Sequence, residues 1–198
     1  MRTFGILFAG WIVGAVIIVL LAFIPAIGAP TVVASRSPGR PDAGLRTPLP
    51  GLQVSAGGMA IPVLGLTTAD LHDSYDQPRS GGRTHHALDI LAPRGTPVIA
   101  AVNGTIRKLD RGGPGGLTIY QFDDAEARVF YYAHLERYAE GIAEGQRVNQ
   151  GTVIGYVGTT GNAPANTPHL HFSVELLPPT KEYWKGQTVN PYPLLTAR

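Results

Sequence analysis

From Pro97 onward no apolar segment of this chain runs far before a turn signal ends it, and that constrains the fold more than any other feature. PVIAAV (97–102) stops at Asn103-Gly104, and TIRKL (105–109) stops at the glycine-rich DRGGPGG. LTIYQF (117–122) stops at Asp123-Asp124, RVFYYAHL covers 128–135, and TVIGYVG (152–158) gives way to TTGN. Segments of this length, rich in β-branched and aromatic residues and bounded by glycine, asparagine and aspartate, read as strands. Glycine (25) and proline (17) are abundant and charged residues make up only 15%, which favours turns and short strands over long salt-bridged helices. The expected fold is mainly β, an antiparallel sheet or sandwich. A single helical candidate, Thr68 to Leu71, is too short to change that, and no internal repeat is visible.

The front of the chain differs in kind. No charged residue occurs between Thr3 and Ser35, and Phe4 to Ile24 forms an unbroken apolar run of about the 20 residues that a transmembrane helix needs. A secretory signal has a shorter apolar region, which favours an uncleaved anchor over residues 1–28, although Ala26-Ile27-Gly28 offers small residues for a cleaved one. Either way the remainder is expected outside the cytoplasm. Arg2 on one flank and Arg36, Arg40 and Arg46 on the other leave orientation undetermined by charge. Residues 29–58, rich in proline, glycine, serine and alanine, read as a linker, and residues 59–198 as the globular domain. A formal charge of +2 carried by scattered basic residues gives no support to nucleic-acid binding and permits an anionic polymer as partner.

The chain has no cysteine, so any metal must be held by histidine and carboxylate. Three clusters offer such groups. TPHLHF places His169 and His171 on one face of a strand, with Leu170 and Phe172 facing a core. Such a pair can share one metal or divide metal holding from proton handling. In RTHHALDIL, His85 and Asp89 are four apart and share a face if the segment is extended, while His86 points away. They are two ligands that zinc accepts, a later histidine can supply the third, and the fourth position stays open for water. In RVFYYAHL, Phe130, Tyr132 and His134 share a face of a strand, so His134 is expected at the end of an apolar row beside the other histidines. Each cluster alone is weak, since surface histidines and turn-capping aspartates are common; the three together carry more weight. The chain lacks HExxH and GxSxG, and Ser80 and Ser173 stand in no nucleophile motif.

With these residues in view, DSYDQPRSGGRTHHALDILA, PRGTPVIAAVNGTI, YAHLERY, EGQRVNQGTVIGYVGTTGN and PHLHF, in that order, resemble the zinc metallopeptidases of the lysostaphin and LytM type across roughly residues 60–195. The resemblance implies an antiparallel β groove with the metal at its floor and the peptide part of peptidoglycan as substrate. It also implies one zinc ion on His85, Asp89 and His171, with His134 and His169 as catalytic histidines. A non-catalytic relative that binds peptidoglycan or regulates a hydrolase is the alternative, and loss of ligands would be its mark. The sequence departs from the family pattern at Ala87, where glycine is usual, at Ser173, where glutamate often follows HLHF, and in the length of GNAPANTPHLHF.

Overall fold

The structure, a computed structural model, describes residues 50–198. The apolar Phe4 to Ile24 run, expected to cross a membrane, lies outside the described residues, as does the linker up to residue 49. Eleven strands follow one another: β1 (Pro78–Arg79), β2 (Arg83–Thr84), β3 (Leu88–Leu91), β4 (Pro97–Ile99), β5 (Gly104–Arg111), β6 (Leu117–Asp123), β7 (Arg128–Tyr138), β8 (Arg147–Val148), β9 (Val153–Val157), β10 (His169–Leu176) and β11 (Gln187–Val189). Thr68–Asp70 forms one 3-10 turn, and a six-residue helix, α1 (Pro191–Thr196), is capped by the Asn190 side chain. Among the described residues no helix is long and apolar enough to cross a membrane.

β1 and β2 form a small hairpin, and the other nine strands form one sheet in the order β11-β10-β7-β6-β5-β8, with β3 on β10 and β4 on β9, which itself joins β7. Every pairing is antiparallel. The turns fall where the sequence signals them, so β4, β5, β6, β7, β9 and β10 each lie within or across an expected segment.

β10 and β7 hold the sheet together because each has apolar residues at alternate positions. Leu170, Phe172 and Val174 are completely buried, as are Phe130 and Tyr132. Phe172 pairs with Tyr132, their rings 5.3 Å apart, and Phe130 stacks on Phe172 at 6.4 Å. Burying these side chains is the main driving force for the fold, and the pleat then turns His169, His171 and Ser173 to the opposite face.

One polar cluster sits inside this core. The Tyr132 hydroxyl donates to Gln121 Oε1 (2.8 Å) and accepts from the Ala101 amide (3.0 Å), while Gln121 Nε2 donates to the Val102 carbonyl (2.8 Å). All its members are satisfied, and it ties β6 and β7 to the segment after β4. Tyr132→Phe strands the Ala101 amide and one acceptor of Gln121, so it is expected to destabilise the domain by about 1–3 kcal/mol. Chemical denaturation of the two proteins measures this.

Candidate metal centre and the histidines beside it

The centre forms where three strands lie side by side. In the register of β3 and β10, Asp89 stands directly opposite His171. His85 reaches them from the turn before β3, where His86 takes a left-handed φ of +57°. The His85–Asp89 spacing therefore works through a kink, not through the extended segment expected. His86 is exposed and packs edge-on to Tyr75 at 5.5 Å, facing away as expected. Ala87, in the place where glycine is usual, is buried with an ordinary negative φ. The strained residue of the turn is its neighbour, so the alanine imposes no backbone cost.

Three ligand atoms converge. His85 Nε2 lies 2.9 Å from Asp89 Oδ1 and 3.0 Å from His171 Nδ1, and His171 Nδ1 lies 3.2 Å from Asp89 Oδ1. Atoms bound tetrahedrally to one metal ion at 2.0–2.2 Å stand roughly 3.3 Å apart, so this triangle has nearly the right size. Its chemistry suits a cation as well. His85 Nδ1 donates to the Ser74 carbonyl (2.9 Å), so in the neutral ring Nε2 carries only a lone pair. That lone pair and the Asp89 oxygen face each other at 2.9 Å, an arrangement that a cation between them stabilises. Burial would raise the Asp89 pKa, but the hydrogen bond from His171 leads the effects that outweigh it and hold the carboxyl well below its ordinary range. The residues present fit a metal ion.

The second oxygen of Asp89 is engaged by Arg79, whose Nη2 donates to Oδ2. The Asp89 amide also accepts support from Ser74, donating to its hydroxyl at 2.9 Å. Arg79 and Ser74 therefore orient the carboxylate so that Oδ1 alone faces the histidines.

His134 reaches the same place by a route the strand pattern does not give. Ordinary alternation on β7 would put it with Phe130 and Tyr132 in the core. Instead the pairing with β6 slips: Tyr132 faces Ile119 but Leu135 faces Leu117, so β7 carries one extra residue. That bulge contains His134 at φ +60°, and it turns the ring to the groove face. The expectation that His134 shares a face with Phe130 and Tyr132 is therefore corrected, while its placement beside the other histidines holds. Its ring centroid lies 5.0 Å from that of His169 and 5.6 Å from that of His171.

Both neighbouring histidines are oriented by backbone carbonyls. His134 Nδ1 donates to the Thr160 carbonyl and His169 Nδ1 to the Thr167 carbonyl, each at 2.8 Å. A carbonyl can only accept, so each Nδ1 carries the proton and each Nε2 is free. His169 Nε2 lies 3.7 Å from Asp89 Oδ1. Burial lowers the His134 pKa to about 4, against the opposing pull of the Thr160 carbonyl, and burial also lowers that of His171. His134 is thus a neutral imidazole at pH 7.

Thr160 is a residue that sequence reasoning missed. Its hydroxyl accepts from the Leu117 amide (2.9 Å) and donates to the Leu135 carbonyl (2.7 Å), locking the loop after β9 to the bulge in β7. The glycines around it allow the close approach: a Cβ on Gly161, at φ +75°, would lie 2.2 Å from the Pro114 carbonyl oxygen. The TTGN turn and the GGPGG loop before β6 were both visible in the sequence, but their packing against each other was not. Arg79 and Ser74 were likewise unmarked. Together these elements border an open groove of about 490 Å³, with Asp89 and the four histidines on its floor and Arg79, Tyr131 and Asn162 along its sides.

An antiparallel β groove floored by a His-Asp-His metal triad, with two further imidazoles beside it, defines a metallohydrolase type of site. Residues 83–191 match the model of peptidase family M23, and the chain belongs to that family. It is 32% identical over 151 residues to the L-Ala–D-Glu endopeptidase of Bacillus subtilis, covering 73% of this chain and 45% of that protein. It is 37% identical over 110 residues to the DD-carboxypeptidase/endopeptidase Mpg of Neisseria meningitidis, covering 55% of this chain and 22% of that protein. The chain thus spans less than half the length of these curated relatives. The catalytic domain of lysostaphin from Staphylococcus simulans superposes with a TM-score of 0.51 at 28% identity, covering 60% of this chain and 84% of that domain.

The geometry separates ligands from supports. His85→Ala removes a ligand and is expected to abolish metal retention against a chelator. Arg79→Gln keeps all three ligands but frees Asp89 Oδ2, and is expected to weaken metal binding by roughly 10- to 100-fold. Chelator competition on the purified proteins, with unfolding curves alongside, measures both.

Proposed function

We propose that this chain is a zinc-dependent endopeptidase that hydrolyses peptide bonds in the stem peptides or cross-links of peptidoglycan, on the extracytoplasmic side of the cell membrane. The observation that carries this reading is the convergence of His85 Nε2, Asp89 Oδ1 and His171 Nδ1 beside two imidazoles whose Nε2 atoms are unengaged. Two relatives named as endopeptidases, and family membership, support the same reaction class. With every ligand in place, the alternative of a non-catalytic relative has lost its distinguishing mark.

Zinc on these three atoms supplies Lewis acidity toward a scissile carbonyl and an attacking water. The chain's own residues then handle position and protons. Arg79 and Ser74 hold Asp89 so that its Oδ1 stays on the metal side. His169 and His134 form the acid-base pair: one neutral Nε2 would take a proton from water, and an Nε2 that has gained a proton would steady the oxyanion or give that proton to the leaving amine. Their shared tautomer, fixed by the Thr167 and Thr160 carbonyls, lets either serve as base. The groove opens to solvent above the ligand atoms, where a peptide substrate can enter.

Zinc content and digestion of purified peptidoglycan, measured in parallel, test this assignment. His171→Ala is expected to lose both metal and activity. His169→Ala and His134→Ala are expected to keep zinc and lose activity by roughly 10²- to 10⁴-fold. Loss of zinc from His169→Ala equal to that from His171→Ala would redraw the site.

The same proposal assigns residues 1–28 to a membrane anchor, 29–58 to a linker and 59–198 to the catalytic domain. Its support is the uninterrupted apolar run from Phe4 to Ile24. The native protein is then expected to sediment with membranes through alkaline extraction and to retain its N-terminal residues. An exported form that begins near Ala29 shows cleavage instead.

A further inference from the structure

A row of aromatic rings leads away from the metal ligands on the groove face of the sheet. Tyr131 on β7 meets His171 edge-on at 6.0 Å. Tyr120, its partner across β6 and β7, lies 4.6 Å from it, and Tyr183 lies 4.6 Å from Tyr120. Trp184 stands perpendicular to Tyr183 at 4.8 Å. Tyr183 and Trp184 come from the connection between β10 and β11, which folds back over β6. Internal bonds hold that connection: Lys181 N donates to the Pro178 carbonyl (2.9 Å), Lys185 N to the Glu182 carbonyl (3.0 Å) and Thr180 Oγ1 to Glu182 Oε2 (2.8 Å).

Trp184 is 62% exposed, the most exposed large apolar side chain among the described residues. It adds nothing to the core, yet a hydrogen-bonded loop presents it at the outer end of a row that begins at a metal ligand. An exposed aromatic surface continuous with a substrate groove is a binding surface by its chemistry. Flat, neutral rings of this kind suit the C–H face of a sugar ring, through dispersion and weak C–H contacts that need no charge. Peptidoglycan supplies such a ring close to every peptide bond it contains, because its stem peptides are attached to glycan strands.

We propose that Tyr183 and Trp184, backed by Tyr120 and Tyr131, form a subsite that stacks on a pyranose ring of the glycan while the attached peptide lies across the metal centre. The inference rests on the peptidoglycan endopeptidase reading given above. The subsite makes glycan-attached peptides better substrates than the same cross-linked peptides released from glycan, and it does so without salt dependence.

The test compares hydrolysis of two substrates by the full chain: soluble glycan-attached fragments, and the cross-linked peptides freed from their sugars by an amidase. Trp184→Ala is expected to raise KM about three- to tenfold on the glycan-attached fragments, with kcat unchanged, and to leave kinetics on the free peptides unaltered. Trp184→Phe retains a ring and is expected to recover most of the loss. Binding of an N-acetylglucosamine tetramer to the wild-type chain, followed by calorimetry, is expected to persist in 0.5 M salt (about the range where exposed charge pairs are screened) and to weaken in Trp184→Ala. Equal effects on both substrates, or none on either, overturn the subsite while leaving the peptidase reading intact. Failure of the wild-type chain to cut either substrate defeats that reading instead, and tetramer binding then decides the subsite independently: its absence overturns it.

Discussion

The register of β10 between β3 and β7 is the constraint on which the rest of this structure depends. On one face of β10, Leu170, Phe172 and Val174 are sealed in the core. On the other, His171 stands opposite Asp89 of β3 and Ala133 of β7. A one-residue slip would exchange these faces, burying the imidazoles and exposing the apolar row. Core packing and ligand geometry therefore enforce the same alignment, and the hydrophobic effect supplies the energy that holds the metal triangle together.

Backbone carbonyls distinguish the four groove histidines by which ring nitrogen they leave open. Ser74, Thr160 and Thr167 each occupy the Nδ1 proton of one ring, which leaves Nε2 of His85 for the metal side and Nε2 of His134 and His169 free. His171 alone turns its Nδ1 toward Asp89 and His85. Adjacent histidines in one HxH thus differ because one ring is tied to the Thr167 carbonyl and the other is not. That small difference gives two imidazoles on one strand face different open nitrogens.

The walls of the groove are built from connections, and there the chain has its own character. The long β9–β10 connection packs backbone to backbone against the glycine-rich loop before β6, which fixes Thr160 and through it His134. Beyond Tyr131, the β10–β11 connection carries Tyr183 and Trp184 over Tyr120. Floor and walls answer to different demands: the floor must place ligand atoms within tenths of an ångström, while the walls shape the space above them.

Much of this was legible in the chain. Turn signals at short intervals marked the strands because glycine, asparagine and aspartate end extended segments for local steric reasons. The HxH alternation gave the orientation of β10, since a pleat has period two wherever the strand lies. The histidine and aspartate clusters stood out because histidine and carboxylate are the metal-ligating types this cysteine-free chain has, while their division into ligands and catalytic histidines was implied by the family resemblance. Tertiary structure alone decided how they meet. The kink at His86 and the bulge at His134 are left-handed residues with no glycine to announce them, held in place by partners far along the chain. Arg79 clamps a carboxylate ten residues away, and Ser74 and Thr160 act through a carbonyl that every residue possesses. A backbone carbonyl has no signature in sequence; only the folding of distant segments onto one another decides which one faces an imidazole.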